Sequence, residues 1–338
     1  VVPASRDRIE RPRPASRTSL AATWTQAMRY DERANDGAGR LDLEGDVRVR
    51  STPDALTSDR LDAREVSLDL ANRVGGVRPA GERSEGLLAD EGGKDLKRLV
   101  ARGDAVMESR TWKTAARRGD PRLFRVEGAR VEYLVASREA LVEGAGGLLV
   151  HDPESSTAPE DRGPASTAGF GIDGTSRFRW ARRMTMNREI DDRYLVVMER
   201  EVEVLHAGLQ PEDMLSLTAD RLEVTIERPD DAKPARSKEQ ATEQNPKQEP
   251  KQELLDSSGV ELGGPADLVR VRGIGRVFVR TPEHDVECSE FDYNVDTQIA
   301  MLRADPGRVV TVQSKGVATP IRAERVQWDL RTGRIRIL

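Results

Sequence analysis

The sequence predicts an all-β protein, an elongated open jelly roll or β-solenoid, and three observations carry that prediction. Apolar and polar residues alternate in short runs such as DVRVR (46–50), REVEVLH (200–206) and RVFVR (276–280). Such alternation puts one set of side chains on a buried face and the other in water. Asp-Pro and Thr-Gly turn signals separate the runs. The third observation is an internal repeat, and we therefore expect stacked strands and almost no helix.

The repeat is visible when two distant stretches are aligned. Residues 56–63 read LTSDRLDA and residues 217–224 read LTADRLEV, which pairs Asp59 with Asp220. The flanks follow in the same order, with Trp24 aligned to Trp180 at an offset of 156 and Tyr133 to Tyr293 at 160. The chain is therefore predicted to hold two similar β units, residues 20–151 and residues 177–338.

Three segments have compositions that do not support a core. Residues 1–19 are rich in Arg, Pro and Ser and are predicted to be a disordered tail, and residues 152–176 are predicted to be the loop between the units. Residues 229–258 contain no aromatic, valine or isoleucine residue and many Gln, Glu, Lys and Pro residues. Such a segment buries too little surface to offset its ordering entropy, so a disordered insertion is predicted there.

Residues 94–100 are compatible with a short helix or with the start of a strand. The corresponding stretch of the second unit, DLVRVRG (267–273), alternates between apolar and polar residues. A strand is therefore the prediction for residues 94–100 as well.

Composition narrows the class of protein. The 338 residues are 33% charged, yet the net charge is only −5, and a nucleic-acid partner would require a basic excess. No apolar run is long enough for a membrane-spanning helix. The single cysteine, Cys288, excludes an internal disulfide. The chain begins at Val1 rather than Met, so we expect a processed piece from which any targeting signal has been cut.

The motifs that suggest chemistry lack the surroundings that the chemistry needs. GFGIDG (169–174) matches a dinucleotide-binding pattern, but a Ser/Thr/Ala/Pro loop precedes it and no helix follows, so it is predicted to be a flexible turn. His151, His206 and His284 lie alone after strand-like runs. In HDVEC (284–288), alternation separates His284 and Cys288 from the acidic residues, so no metal site is expected and Cys288 is expected to be a buried apolar residue.

Acidic residues recur once in each predicted module. Paired carboxylates can act as a general acid and base, but a residue that recurs with every repeat indicates repeated architecture instead. We therefore expect a non-enzymatic protein without a cofactor. The recurring residues are Asp59, Asp220, Glu290 and Glu324.

The alternating apolar residues are the remaining candidates for a function. Most of them are expected to be plain core, but an open sheet fold can leave part of this face as an apolar groove. Methionine and tryptophan adapt well to irregular apolar ligands, and the chain is only 4% aromatic, so a tryptophan repeated at one module position is informative. Both interpretations stay open for Trp24, Met28, Trp180, Met184 and Met186.

The motif LEGDVRV…LTSDRLDA, its counterpart MEREVEVLH…LTADRLEV, and the segment KGVATPIRAERVQWDLRTGRIRI (315–337) carry a resemblance. The pattern is similar to that of the OstA/LptA family, periplasmic lipopolysaccharide-transport proteins of Gram-negative bacteria. The resemblance covers most of residues 20–338 outside the loops, and its motifs are short and degenerate. The chain departs from a simple family member in its duplication, in its long polar insertions, and in Arg200, which stands where the first unit has Gly45.

The resemblance implies an open, twisted jelly roll in the cell envelope whose apolar interior carries acyl chains across the periplasm. It brings no catalytic residue with it. The residues that it implies as the lining of this lipid groove, besides the tryptophans and methionines, are Val47, Val49, Leu61, Val131, Val202, Val204, Leu222, Val277, Val279 and Phe291.

Two functions from different classes follow as expectations. The first is a carrier or bridge for a lipopolysaccharide-like lipid, which associates end to end with itself or with other OstA-like jelly rolls through the strand at GRIRIL (333–338). The alternative is a structural β-solenoid scaffold of the cell envelope. A carrier should leave an apolar slot open to solvent along one seam, whereas a scaffold should have large side chains interlocked throughout a dry interior.

Overall fold

A computed structural model describes residues 19–52, 56–72, 94–153, 174–190, 193–208, 214–227 and 267–338. Within these ranges the protein is all-β without a helix, as predicted, and 18 antiparallel strands form one sheet. The strands are β1 (Ser19–Thr23), β2 (Ala27–Asp31), β3 (Arg40–Thr52), β4 (Thr57–Asn72), β5 (Lys94–Thr111), β6 (Arg122–Leu134), β7 (Glu139–Asp152), β8 (Gly174–Trp180), β9 (Arg183–Arg188), β10 (Arg193–Ala207), β11 (Met214–Glu227), β12 (Asp267–Arg280), β13 (His284–Asn294), β14 (Ile299–Arg303), β15 (Val310–Ser314), β16 (Ile321–Ala323), β17 (Arg325–Asp329) and β18 (Arg334–Ile337).

The strands follow one another across the sheet in chain order. Each of the long strands from β3 to β7, and again from β10 to β13, is hydrogen-bonded to the next. Two consecutive short strands together take the position of one long strand in the sheet. β1 and β2 both pair with β3, and β8 and β9 both lie between β7 and β10. The sheet therefore passes without interruption from the first predicted unit into the second.

Most of the long strands are interrupted near their middle. The pairing register shifts between Glu44 and Val47 in β3, and again in the partners that follow. Several of these interruptions contain left-handed glycines, such as Gly45 at φ 81° and Gly275 at φ 97°. A left-handed residue inside a strand forms a bulge that bends the strand and increases its twist. Because the interruptions lie opposite one another, they form a continuous line across the sheet, which we call the bend seam.

The bend seam divides the sheet into two halves. Half-sheet 1 contains β2, β9, β14, β17 and β18, and half-sheet 2 contains β1, β8, β15 and β16; the long strands cross from one to the other. Strand parity is kept through the seam, so in β10 Val196, Val202 and Val204 are buried while Glu201 is exposed. The inward faces of both halves join in a single apolar core, and burial of that surface is the main force that holds the sheet bent.

The outward face of half-sheet 1 carries a network of arginine–carboxylate pairs. Arg183 pairs with Glu199 at 2.9 Å and holds the pKa of that carboxyl below its usual range. Arg272 lies between Glu290, at 2.8 Å, and Glu223, at 3.4 Å. This pairing occupies arginines that would otherwise be available to anions.

The two predicted units contain equivalent turns at the bend seam. The Thr25 amide donates to the Gly45 carbonyl at 2.7 Å, and the Ala181 amide donates to the Arg200 carbonyl at 2.9 Å. The residue before each turn is a tryptophan, Trp24 or Trp180. These hydrogen bonds place the two tryptophans at the same point of the repeated strand pattern.

The two aligned tyrosines have equivalent neighbours as well. Tyr133 lies opposite Leu99 and Ala140, and Tyr293 lies opposite Val271 and Ala300. Both tyrosines therefore occupy the same place in the strand order of their unit, although the boundaries predicted for the units stay a prediction.

The expectation that Asp59 and Asp220 are equivalent is wrong. Ala63 lies opposite Val47, and Ala219 lies opposite Val202, so the residue equivalent to Asp220 is Arg64. Asp59 lies opposite Ser51 and Ser109 toward the far end of its strand. The similar letters at 56–63 and 217–224 are shifted by five residues, because so short a motif fits the chain at more than one place.

The remaining predictions on local structure have mixed outcomes. Residues 94–100 begin β5 and are strand, as predicted. Residues 1–18 of the predicted tail, the insertion at 229–258 and most of the GFGIDG motif lie outside the described residues, as do residues 154–173 of the predicted loop, whereas Ser19 of the predicted tail already begins β1. Within that loop, residues 174–176 already belong to β8.

Arg200 provides a test of the strain at the bend seam. Arg200 and Glu201 both have left-handed backbone conformations, at φ 66° and 47°. The residue of β3 that corresponds to Arg200 is a glycine, Gly45. A side chain in this conformation costs about 1–2 kcal/mol, and glycine avoids that cost while losing some unfolded-state entropy. We expect Arg200→Gly to raise the free energy of unfolding by about 0.5–1 kcal/mol in urea titrations.

The control for this prediction is Gly45→Ala, which should lower the unfolding free energy. A Cβ atom there would overlap the Gln26 side chain and lie 2.7 Å from the Thr25 Oγ1. A destabilised Arg200→Gly protein would show that contacts of the arginine side chain outweigh the backbone strain.

Candidate functional site

Two rows of inward side chains cross half-sheet 1 from edge to edge. Along each row, every residue lies directly opposite the next residue on the neighbouring strand. Row I consists of Met28, Leu43, Val66, Ala101, Val131, Val142, Met184, Met198, Leu222, Gly273, Phe291, Leu302, Val326 and Ile337. Row II consists of Tyr30, Leu41, Leu68, Leu99, Tyr133, Ala140, Met186, Val196, Val224, Val271, Tyr293, Ala300, Trp328 and Ile335.

A third row crosses half-sheet 2. Row III consists of Ala22, Val49, Leu61, Met107, Val126, Leu148, Phe178, Val204, Leu217, Val279, Val286, Val312 and Ile321. The three rows belong to one core or pack against it, apart from residues at the sheet edges. The interior is therefore an apolar space that runs continuously across both predicted units.

The structure brings nearly all the predicted groove residues into this interior. Val131, Met184, Leu222 and Phe291 lie in row I, Met186 lies in row II, and Val49, Leu61, Val204 and Val279 lie in row III. Val47, Val202 and Val277 are buried beside the bend seam, where Trp24 and Trp180 also lie.

Met28 is the exception among these candidates, because its side chain is 49% exposed. It begins row I on β2, and in the described part of the chain β2 pairs only with β3. The equivalent strand β9 is covered by β7, which explains why its methionines are buried. Met28 therefore lies at an exposed edge of row I, and its place in a lipid groove stays a prediction.

The side chain of Trp180 packs against β7. Its indole Nε1 donates to the Gly144 carbonyl at 3.1 Å, and its ring covers Gly146, where an added Cβ would lie 2.6 Å from Cζ2. Trp180 is 3% exposed. Trp24 is half-buried, because β1 pairs only with β3 among the described strands and no second strand covers the tryptophan as β7 covers Trp180.

Polar side chains follow the inward face of half-sheet 2 where its strands end, and we call this set the polar rim. Ser176 Oγ lies 2.8 Å from His206 Nδ1, and Ser314 Oγ lies 3.1 Å from His284 Nδ1. The members of the polar rim are Ser51, Asp59, Ser109, Ser176, His206, Thr281, His284 and Ser314.

The opposite strand ends, in half-sheet 1, have an apolar inward face. Leu70 lies opposite Leu96, and Tyr194 and Ile226 lie opposite each other. The interior therefore has one polar and one apolar margin. This asymmetry could not be predicted from the sequence, because each histidine has its hydroxyl partner 24 to 30 residues away along the chain.

Burial shifts the pKa of three titratable groups of the interior in the direction that favours their neutral forms. It raises the pKa of the Cys288 thiol to about 12 and that of the Tyr293 hydroxyl to about 12. Burial also lowers the pKa of His284, against a smaller opposing effect of Glu283. A thiol with such a raised pKa is a poor nucleophile and behaves as a small apolar residue.

A cleft of about 510 Å³ lies beside the bend seam and is separate from the three rows. Outward-facing residues contribute to its lining, including Glu203, Phe278 and Glu287. On its wall, Asp220 accepts hydrogen bonds from the Arg276 backbone amide at 3.0 Å and from its guanidinium at 3.1 Å, which lowers the pKa of the carboxyl. Asp220 therefore links β11 to β12.

Within the described ranges, no group of three or more potential metal-ligating side chains is assembled, and no helix is long and apolar enough to cross a membrane. Comparisons with protein-family models, with curated proteins and with solved structures found no significant match to this chain.

Proposed function

We propose that this protein is a non-enzymatic lipid carrier of the OstA/LptA type, which holds the acyl chains of a lipopolysaccharide-like lipid between its two half-sheets. One observation carries the proposal: three apolar rows run uninterrupted through the interior across both units. A core that only stabilised two domains would have no need for continuity across their junction. A continuous apolar space matches the shape and chemistry of a long hydrocarbon chain.

The sequence resemblance supports the same function, and it favours the periplasm of the cell envelope as the place where the protein acts. The bent sheet fits the open jelly roll that the resemblance implies. Because most row residues are less than 10% exposed, the interior of this structure is closed. Uptake of a lipid therefore requires the half-sheets to separate about the bend seam.

The tight burial of the rows favours one competing function, a scaffold of the cell envelope with a dry interior. In that case the side chains interlock permanently, as in an ordinary core. The two functions differ in whether the rows can part to admit a hydrocarbon chain.

Mass spectrometry of protein purified from a Gram-negative host distinguishes the two functions. We expect co-purified acyl lipid, and after delipidation we expect the protein to take up a fluorescent fatty-acyl probe. The Glu203→Ser protein, altered only on the outward face, should take up the same amount. Purification without lipid, together with failure to bind the probe, would establish the scaffold instead.

We also propose that the carrier associates end to end. Row I begins at Met28, which is 49% exposed, and ends at Ile337, which is 63% exposed. The strands that carry them, β2 and β18, each have one unpaired edge within the described part of the chain. The alternation of strand directions makes β2 and β18 antiparallel, so a second copy can extend the sheet and join the rows.

Light scattering tests this association. We expect concentration-dependent oligomers of the unaltered protein, and we expect Ile337→Glu to abolish them because the charge would lie inside the joined row. The control is Arg336→Gln, whose residue faces the other side of β18. A protein that stays monomeric at high concentration would contradict the end-to-end arrangement.

A further inference from the structure

The polar rim divides the interior into chemically different margins. Hydroxyl, imidazole and carboxyl groups, interrupted by Phe124, Val150 and Leu215, line the strand ends of half-sheet 2, whereas leucine, isoleucine and tyrosine line those of half-sheet 1. Inward polar groups are costly unless they have partners. An amphiphile in this space would lie with its polar part at the rim and its hydrocarbon toward half-sheet 1.

Two cationic groups near the polar rim are already engaged. Arg122 pairs with Asp152 at 2.5 Å, and the Lys315 Nζ donates to the Thr281 carbonyl at 3.1 Å. Phosphate groups are bound best by arginine or lysine side chains that can turn toward them. The Ser176–His206 and Ser314–His284 pairs offer both donors and acceptors without net charge. This chemistry suits hydroxyl groups.

A buried donor beside the rim also lacks an acceptor. Trp328 is 3% exposed, and its indole Nε1 has no hydrogen-bond partner among the described residues. The ring lies edge-on to His284, with 5.4 Å between the centroids. Because an unsatisfied buried N–H is destabilising, this position favours a bound molecule that supplies an oxygen atom next to the rim.

We infer that the polar rim and Trp328 bind the head of the lipid, and that this head is an uncharged, hydroxyl-rich sugar group rather than a phosphate. The inference rests on the proposed lipid-carrying function and adds the class and orientation of the ligand. Rim hydroxyls and imidazoles bind the sugar hydroxyls, Trp328 Nε1 donates to a sugar or ester oxygen, and the acyl chain extends along the rows.

Two detergents with the same dodecyl chain test the head group. Calorimetric titration of delipidated protein with dodecyl maltoside and with dodecylphosphocholine, each below its micellar concentration, should show about tenfold tighter binding of the maltoside. That ratio corresponds to two additional hydrogen bonds of ordinary strength.

The variant His206→Leu/Ser176→Ala removes both members of one rim pair, so that neither is left without its partner. We expect it to lose most of the preference while it still binds the phosphocholine detergent. Trp328→Phe keeps a ring in place and should weaken maltoside binding about threefold. The matched control, Ile226→Val at the apolar margin, should keep the full preference.

The outcomes separate this inference from the function on which it rests. Equal binding of the two detergents, or a preference that all variants retain, would overturn the role of the rim and leave the lipid carrier standing. If the unaltered protein binds neither detergent, the lipid-carrying function itself fails, and the rim inference fails with it. Should the double variant not fold, Trp328→Phe and the two detergents on the unaltered protein still decide the question.

Discussion

Changing Val204 to Asp is expected to remove about 3–5 kcal/mol from the free energy of unfolding. Val204 is 1% exposed and lies in row III between Phe178 and Leu217. A carboxylate there would be buried among apolar side chains without a partner, and the row leaves it no route to water. Urea denaturation followed by tryptophan fluorescence measures the loss.

The adjacent change Glu203→Ser is the control. Glu203 points to the outward face, where it lies 3.9 Å from Arg179 with both side chains about half exposed. Exposed pairs of this kind contribute little, so we expect a change within about 0.5 kcal/mol. Comparable losses from the two changes would mean that the strand parity assigned to β10 is incorrect.

The same pair of variants bears on function. At temperatures where the Val204→Asp protein is still folded, it should take up less of a fatty-acyl probe, because a charge has been added to the hydrocarbon path. Glu203→Ser should take up as much probe as the unaltered protein. A folded Val204→Asp protein with full uptake would place the lipid outside row III.

Replacing Gly146 by Ala is expected to cost about 2–3 kcal/mol, although only one methyl group is added. The new Cβ would overlap the Glu127 carbonyl oxygen and would lie 2.6 Å from Cζ2 of Trp180. Neither group can move freely, because the carbonyl belongs to the sheet and the indole is held by its hydrogen bond to Gly144. Thermal unfolding measured by circular dichroism reports the loss.

Gly147→Ala provides a matched comparison at the next residue. Its Cβ would meet the Glu127 side chain at 3.2 Å, and that flexible, outward-facing group can turn away. Because alanine fits a strand better than glycine, stability should stay within about 0.5 kcal/mol of the unaltered protein. Equal losses of stability at both positions would show that the whole β7 backbone resists substitution, rather than the packing of Trp180 on Gly146 alone.

Several features of the structure could be predicted from the sequence because they depend on neighbours along the chain. Alternation of apolar and polar residues determines which side of a strand is buried, and it identified Val202 and Val204 as inward while Glu201 is exposed. The same parity assigned His284 and Cys288 to one face of β13. Strand type and side-chain face are local properties of an alternating chain.

The alignment of the two repeats could be predicted only in part from the sequence. The tryptophan and tyrosine pairs are aligned correctly, since large aromatic residues are rare in this chain. Asp59 and Asp220 are misaligned, because so short a motif fits the chain at more than one place. Cross-strand hydrogen bonds settle the register, and these join residues far apart in sequence.

What the sequence by itself determined is that this chain is all-β, duplicated in pattern and apolar on one face of each strand. The tertiary structure alone decided that the strands bend along one seam, that three rows of side chains join both units, and that Met28 lies at an open edge. It also decided that one margin of the interior is polar, through pairs such as Ser176 and His206. The physical reason is that a row across a sheet takes one residue from each strand, so its composition exists only after the pairing register is fixed.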